Sequence, residues 1–345
     1  MERINAFPGL PGGGFICFIS HSHLKEASLM VKYIGKRLLR SLLTLLIIIT
    51  IVFALLRLMP IEGYFQNFEK MSTLQIQVGL QQLGLTDPLP VQLLHFWQGA
   101  LQGDFGVSHK YRVGVDVVEI IAGKVPLSLA IGLTSLALAL AIGLPLGILM
   151  ARSTRTRWKI GDKLGTVFVV VIQAIPAAIY YIFIPFYCSQ LPGFSMFFDA
   201  KRPLTWILPI CSLALGNIAY YAMWLRRYMV DESNKDYVRL ARAKGVPTSE
   251  ISRKHVFRNA FVPLVQFIPT SVILTLMGSL YVESLYSIPG MGGLLVNAIQ
   301  LQDNTLVQTL VLLYAAISIL GLLVGDILMA VLDPRITLGK KEGGR

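Results

Sequence analysis

Apolar residues in this chain neither alternate nor keep to a helical stripe; they run on in continuous blocks separated by polar, basic stretches. Six blocks reach the roughly 20 apolar residues that a helix needs to cross a hydrocarbon layer about 30 Å thick. They are Leu38 to Met59, Val125 to Met150, Leu164 to Gln190, Leu204 to Leu225, Phe261 to Val282 and Asn304 to Gly325. Their continuity predicts helices, because barrel strands would alternate over about ten residues. The implied fold class is an all-α integral membrane protein with six transmembrane helices. Composition agrees: of 345 residues, 54% are hydrophobic and only 14% charged, too few charges to clothe a soluble domain of this size.

The same pattern divides the chain. Residues 1–29, with the Pro/Gly-rich "FPGLPGGGFICFIS", form an N-terminal extension expected to be poorly ordered, and Met30 opens the basic lead "MVKYIGKRLLR" as an alternative start. Residues 30–60 hold the first span, 61–124 an outer segment, 125–335 a five-helix core containing the loop 226–258, and 336–345 a tail. The outer segment is too long for a plain connection and is expected to fold into short elements. "MSTLQIQVGLQQLGL" spaces Leu74, Val78 and Leu83 as a helix does and closes on Gly84; a second helix restarts after Thr86 or Asp87 with an early proline. Phe96, Trp97 and Tyr111 suit the headgroup level. Prolines in or near the spans, among them Pro145, Pro176, Pro209, Pro263 and Pro269, predict bent helices.

Charge orients this frame. The net charge is +12, and most of the 31 lysines and arginines fall before the first span, between the second and third, between the fourth and fifth, and after the sixth. That asymmetry is the positive-inside rule, which puts both termini in the cytoplasm and accounts for the basic balance with no nucleic-acid partner. Cys17, Cys188 and Cys211 are too far apart for a paired motif and read as apolar thiols. His21 and His23 lack the further ligands a metal needs, so no metal site is expected.

Catalytic motifs are missing: there is no GxxxxGK[ST], HExxH or GxSxG, and no carboxylate pair inside a span. Arg57 and Asp326 sit at the ends of theirs. The polar groups inside spans are neutral, and Gln173, Asn217 and Gln266 are candidates either to line a pathway or to bond helix to helix. Together these residues describe a polytopic membrane protein with a nearly empty catalytic inventory, which speaks against a membrane enzyme. A secondary transporter or channel working alone is one reading open here, although such carriers usually hold charges at the midplane.

The most informative polar stretch is "DYVRLARAKGVP", Asp236 to Pro247. Tyr237, Leu240, Ala241 and Lys244 share one helical face, Gly245 is placed to end the helix in a left-handed conformation, and Pro247 blocks its continuation. Thr248 is the expected cap of a second helix, with Glu250 in its first turn. On its physics, this helix–turn–helix is equally a knob for another protein or an interfacial helix resting on anionic lipid.

The longer stretch "YVRLARAKGVPTSEISRKHVFRNAFVPLV" resembles the cytoplasmic coupling loop of bacterial ABC importer permeases, in the form used by the oligopeptide/dipeptide family. "LGLTDPLPVQLLHFWQGALQGDFGVS", "VESLYSIPGMGGLLVNAI" and "DILMAVLDPRI" are similar to other segments of that family's first (B-type) transmembrane subunit, in order and spacing, over nearly all of residues 30–337. At the family's Glu-Ala-Ala-(three residues)-Gly motif this chain has Arg239, Leu240, Ala241 and Gly245, so only the second alanine and the glycine are kept. Its His255 to Arg258 likewise replace an Ile-x-Leu-Pro common in relatives. The resemblance implies a type I importer permease fold and a non-catalytic subunit that binds no cofactor, ATP and Mg being held by partner ATPase subunits. The implied partners are a homologous second permease, two ATPase subunits, an extracytoplasmic peptide-binding protein, the peptide itself and membrane lipid, all at a bacterial cell membrane. Within the family, import of nickel or another metal complex is the alternative. The resemblance further assigns ATPase coupling to Tyr237, Arg239, Leu240, Ala241, Arg242, Ala243, Lys244 and Gly245, and likens Glu283, Pro289 and Gly290 to a segment near an outer gate, where Glu283 either shapes the gate or caps a turn.

Overall fold

The computed structural model describes residues 14–58, 60–65, 68–276 and 280–332. Among these the only strand-like pairing is an isolated bridge between Val107 and Asp116, and everything else regular is helical. The first helix, α1 (Gly14–Arg57), takes in residues 14–29 as well as the first apolar block. The apolar part begins at Gly35. The expectation for residues 1–13 and for the tail 336–345 lies outside the described residues.

Two helices of the outer segment come next: α2 (Thr73–Gln82), started by a reciprocal Ser72–Gln75 capping box, and α3 (Leu89–Gln102), with proline in its first turn and left-handed Gly103 at its end. A short α4 (Val117–Ala122) then leads into α5 (Val125–Ser153). The core continues through α6 (Ile160–Ala174), α7 (Ala177–Cys188) and α8 (Leu204–Ser233). After it stand α9 (Asp236–Ala243), α10 (Thr248–Glu250), a π-helical turn (Ile251–Phe257), α11 (Arg258–Val265) and α12 (Phe267–Leu276). The described residues end with α13 (Leu280–Leu285), α14 (Met291–Gln300) and α15 (Asn304–Leu332).

Among the described residues five helical stretches are long and apolar enough to span a membrane, and a bent pair brings the total to as many as six. That pair corrects the third block: Leu164 to Gln190 is not one helix but α6 and α7, bent by 100°. Pro176 is the cause. It drives Ile175 into an extended conformation (φ −84°, ψ 123°) and so stops α6 one residue earlier. The fifth block is also interrupted, at Gln266. Pro269 has no N–H for the Val265 carbonyl and its ring crowds that oxygen, so α11 ends there and α12 restarts.

The centre of the core is α5 against α8. Their approach is set by Gly143 and Gly147, one turn apart: a Cβ on Gly143 would lie 2.9 Å from the Ile218 carbonyl oxygen, and one on Gly147 would lie 2.8 Å from that of Ala222. This is the small-xxx-small packing that brings membrane helices close without a hydrophobic drive between them. Around the contact Leu136, Ala139, Tyr221 and Leu225 are buried, and the cluster continues to Val238, Ile251 and Val256 of the 236–258 loop.

Candidate functional site

The 236–258 loop is helix, turn, helix, with a difference from expectation in each half. Gly245 has φ +78° and ends α9, as its position in the sequence predicts. Thr248 does not cap the second helix. Pro247 occupies the N-cap, Thr248 is the first helical residue, and no side chain caps the helix. After three α-helical residues the backbone widens into the π-helical turn, a rare geometry that recurs at functional sites.

Packing divides the residues of α9. Val238 is fully buried, and Ala241 and Val246 pack against the same core cluster. Ala241 therefore faces the chain's own core, and a charge introduced there would disturb this subunit before any partner. Arg239, Leu240, Arg242, Ala243, Lys244 and Gly245 are exposed. Leu240, 56% exposed, is the large apolar group among them. Arg239 reaches Asp236 at 3.5 Å in an exposed pair that contributes little to stability. Tyr237 anchors the helix: its hydroxyl donates to Glu232 at the end of α8 and accepts from Asn259 Nδ2 of α11 at 2.8 Å. The start of α9 is thus tied to the ends of two core helices.

Behind the loop lies a cavity of about 290 Å³ lined by Arg152, Arg155, Ser249 and Ser252 among others. Arg152 donates to Ser252 Oγ at 3.3 Å and Arg155 to the Ser233 carbonyl at 3.3 Å. Burial, and then the neighbouring Arg242 guanidinium, push the Arg155 guanidinium below its ordinary value. The face around α9 is therefore strongly positive. A further ion pair, Arg226 with Asp162, joins α8 to the start of α6. Sequence reading missed that pair, because nothing in the spacing of residues 162 and 226 marks them as neighbours.

At the opposite end of α5, Glu283 is 3% exposed and closed on by its surroundings. Ser128 Oγ donates to Oε1 at 2.8 Å, and the Gly292 N–H donates to Oε2 at 2.7 Å. The Met291 N–H donates in turn to Ser128 Oγ at 2.8 Å. The carboxylate thus caps α14 from a distance in the chain, where negative charge suits the helix dipole. A Cβ on Gly290 would overlap both Glu283 Oε2 and Ser128 Oγ, which is why a glycine stands there. Pro289 precedes it in the same turn. Of the two readings open from the sequence, the cap is the one this geometry carries. The equivalent device for α15 was not anticipated: Asp303, fully buried, accepts from Ser108 Oγ at 2.6 Å, from the Lys110 and Tyr111 N–H groups at 3.0 Å each, and from the Leu306 N–H at 3.2 Å.

The three neutral candidates lie on separate elements. Gln173 is exposed on α6 one residue before its end, Gln266 occupies the α11–α12 break, and Asn217 is exposed on α8, where its amide donates to the Leu213 carbonyl at 3.2 Å.

Known proteins share this architecture. Residues 143–338 match the family model described as "Binding-protein-dependent transport system inner membrane component", and residues 30–131 match its N-terminal companion. The chain is 31% identical to the oligopeptide transport system permease protein OppB of Haemophilus influenzae, over 89% of this chain and 99% of that one. It is also 31% identical to the dipeptide transport system permease protein DppB of Lactococcus lactis, over 90% of this chain and 100% of that one. Among solved structures, a chain of the MetNI methionine ABC transporter in an inward-facing conformation superposes with a TM-score of 0.51 at 19% identity, over 62% of this chain and 96% of that chain, which is a likeness of fold.

Proposed function

The chain belongs to the inner-membrane component family of binding-protein-dependent transport systems, and from that premise we propose that it forms half of the pathway of an ATP-driven oligopeptide or dipeptide importer. The observation that carries the peptide reading is end-to-end similarity to permeases named for oligopeptide and dipeptide transport. The chain is a non-catalytic permease; ATP and Mg belong to two cytoplasmic ATPase subunits, and a second, homologous permease completes the pathway. An extracytoplasmic binding protein delivers the peptide. Both termini and the 236–258 loop face the cytoplasm, in line with the basic residues concentrated there.

Coupling runs through the exposed face of α9. Leu240 and Ala243, with Arg239, Arg242 and Lys244 around them, meet the ATPase, while Val238 and Tyr237 transmit its movement to α8 and α11. Closure of the ATPase dimer on ATP shifts the loop, the helices rock between two global states, and each state is selected by contacts the other lacks.

The test is capture of the tagged chain from detergent-solubilised native membranes, with ATPase measured on the purified assembly. Recovery with a second permease and ATPase subunits, and activity raised by peptide-loaded binding protein, is the expected result. Recovery of the chain alone, with uptake driven by an ion gradient, would overturn it. Stimulation by a binding protein loaded with a metal complex instead of peptide would keep the importer and replace the solute.

A further inference from the structure

Where α1 and α15 meet the outer segment, a cavity of about 290 Å³ is lined by groups of both charges: Arg57 at the end of α1, Gln92 and His95 of α3, Asp104, and Gln308 of α15. Three polar atoms on its lining side chains are buried without a hydrogen-bond partner among the described residues: Arg57 Nε, Gln92 Oε1 and Gln308 Nε2. Gln92 is 7% exposed, and its other amide atom is committed to the Leu85 and Asp87 carbonyls at 3.1 and 2.7 Å. A buried amide oxygen left in this state costs free energy unless something donates to it. Arg57 is held in place by stacking over Phe53, 4.6 Å from the ring centroid, and by donating to Tyr64 Oη at 2.6 Å. No carboxylate of the described residues pairs with it.

The cavity is not isolated. It shares Phe96 and Gln308 with a shallow apolar groove between Ile49, Val52 and Phe53 of α1 and Val311, Leu312 and Ala315 of α15. From residue 308 to 315 this groove runs about two turns, roughly 10 Å, into the apolar layer. A polar cavity beside a shallow apolar groove, with Phe96 and Gln308 common to both, suits an amphipathic molecule whose head fills the cavity and whose chain lies over the groove.

We propose that this cavity and groove bind a phospholipid with a primary ammonium in its headgroup, of the phosphoethanolamine type, as a bound component of the permease. Arg57 Nε and Gln308 Nε2 are donors that a phosphate oxygen satisfies. Gln92 Oε1 is the buried acceptor that an ammonium satisfies, with the exposed Asp104 carboxylate nearby to balance its charge, and a choline headgroup, with no N–H, leaves the amide oxygen unmet. The acyl chain lies along the groove. A free zwitterionic peptide matches the headgroup region but leaves the groove uncovered.

The experiment is lipid quantification by mass spectrometry on the assembly purified with extended detergent washing, then add-back to delipidated assembly monitored by thermal unfolding. Wild type is expected to retain phosphatidylethanolamine stoichiometrically, with Arg57→Gln and Ala315→Phe each lowering retention at least tenfold. The second variant blocks only the groove, so it decides the matter should Arg57→Gln fail to assemble. In add-back, phosphatidylethanolamine restores the unfolding midpoint and phosphatidylcholine does not. Equal restoration by phosphatidylcholine, or restoration by phosphatidylglycerol alone, would overturn the headgroup assignment. Stabilisation by a dipeptide with displacement of lipid would make this a solute site, and no retention with no response to any lipid would leave the cavity to water.

Discussion

The loop at residues 236–258 and the turn at residues 283–293 are both short polar stretches set between apolar helices, yet they dispose of their polar groups in opposite ways. In the turn, Glu283 is surrounded by donors from its own chain, and the Gly290 backbone lies against it. In the loop, Val238 and the Tyr237 hydroxyl hold the helix down, while Leu240, Arg242 and Lys244 project outward. A polar group whose bonds are met internally fixes structure. An apolar side chain left exposed among cations, on a helix that is itself anchored, is instead available to a partner of opposite charge.

The largest expected effect tests the closed side. Glu283→Ala leaves the Ser128 hydroxyl and the Gly292 N–H buried without their acceptor, at about 1–3 kcal/mol for each group stranded. The purified assembly should unfold at a clearly lower temperature, and Glu283→Gln, which keeps one acceptor oxygen, should fall between it and wild type. Unchanged unfolding of both variants with transport abolished would move the carboxylate from the cap to the gate.

A second pair of substitutions tests the open side. Leu240→Asp puts a charge on an exposed site, so its effect on folding should stay within about 0.5 kcal/mol. If Leu240 is the central apolar contact to the ATPase, as proposed, its loss should cost about 2 kcal/mol of coupling, a fall of more than tenfold in peptide-stimulated ATPase activity. Val238→Asp, two residues away and fully buried, should instead lower unfolding temperature and activity together. Identical behaviour of the two variants would erase the division between the faces of α9.

How much of this was legible in the sequence depends on which interactions are local. The six apolar blocks, the Gly245 turn and the two helices of the outer segment depend on residues within a few positions of one another, and the sequence displays them. The Ser72 capping box was not anticipated, however, and the second outer helix starts after Pro88 rather than Thr86 or Asp87. Pro176 was visible as a bend but not as a 100° break, because the angle depends on what α7 packs against. Ala241 reads from spacing as part of a docking face, but helical periodicity does not say which side is in, and the burial of Val238 turned it inward. Asp162 with Arg226, Asp303 with Ser108, and the close approach of α5 to α8 at Gly143 and Gly147 join residues far apart in the chain. Of these, only the glycine pair four residues apart left a signal in the sequence.

The smallest effect separates the shape of the loop from its contacts. Gly245 holds φ +78°, and a Cβ there would meet nothing within 4 Å, so substitution adds no clash. Gly245→Ala therefore acts through backbone conformation alone, at about 1 kcal/mol for a left-handed residue that is not glycine. If α9 must keep this angle to α10 for ATPase closure to be felt by the core, stimulated ATPase activity should fall by about fivefold, with unfolding barely changed. Asparagine tolerates the left-handed region better than alanine does, so Gly245→Asn should recover much of the loss although its side chain is larger. Were asparagine as damaging as alanine, the empty space beside Gly245 would be what the partner uses, and the turn would matter as a docking surface rather than as a joint.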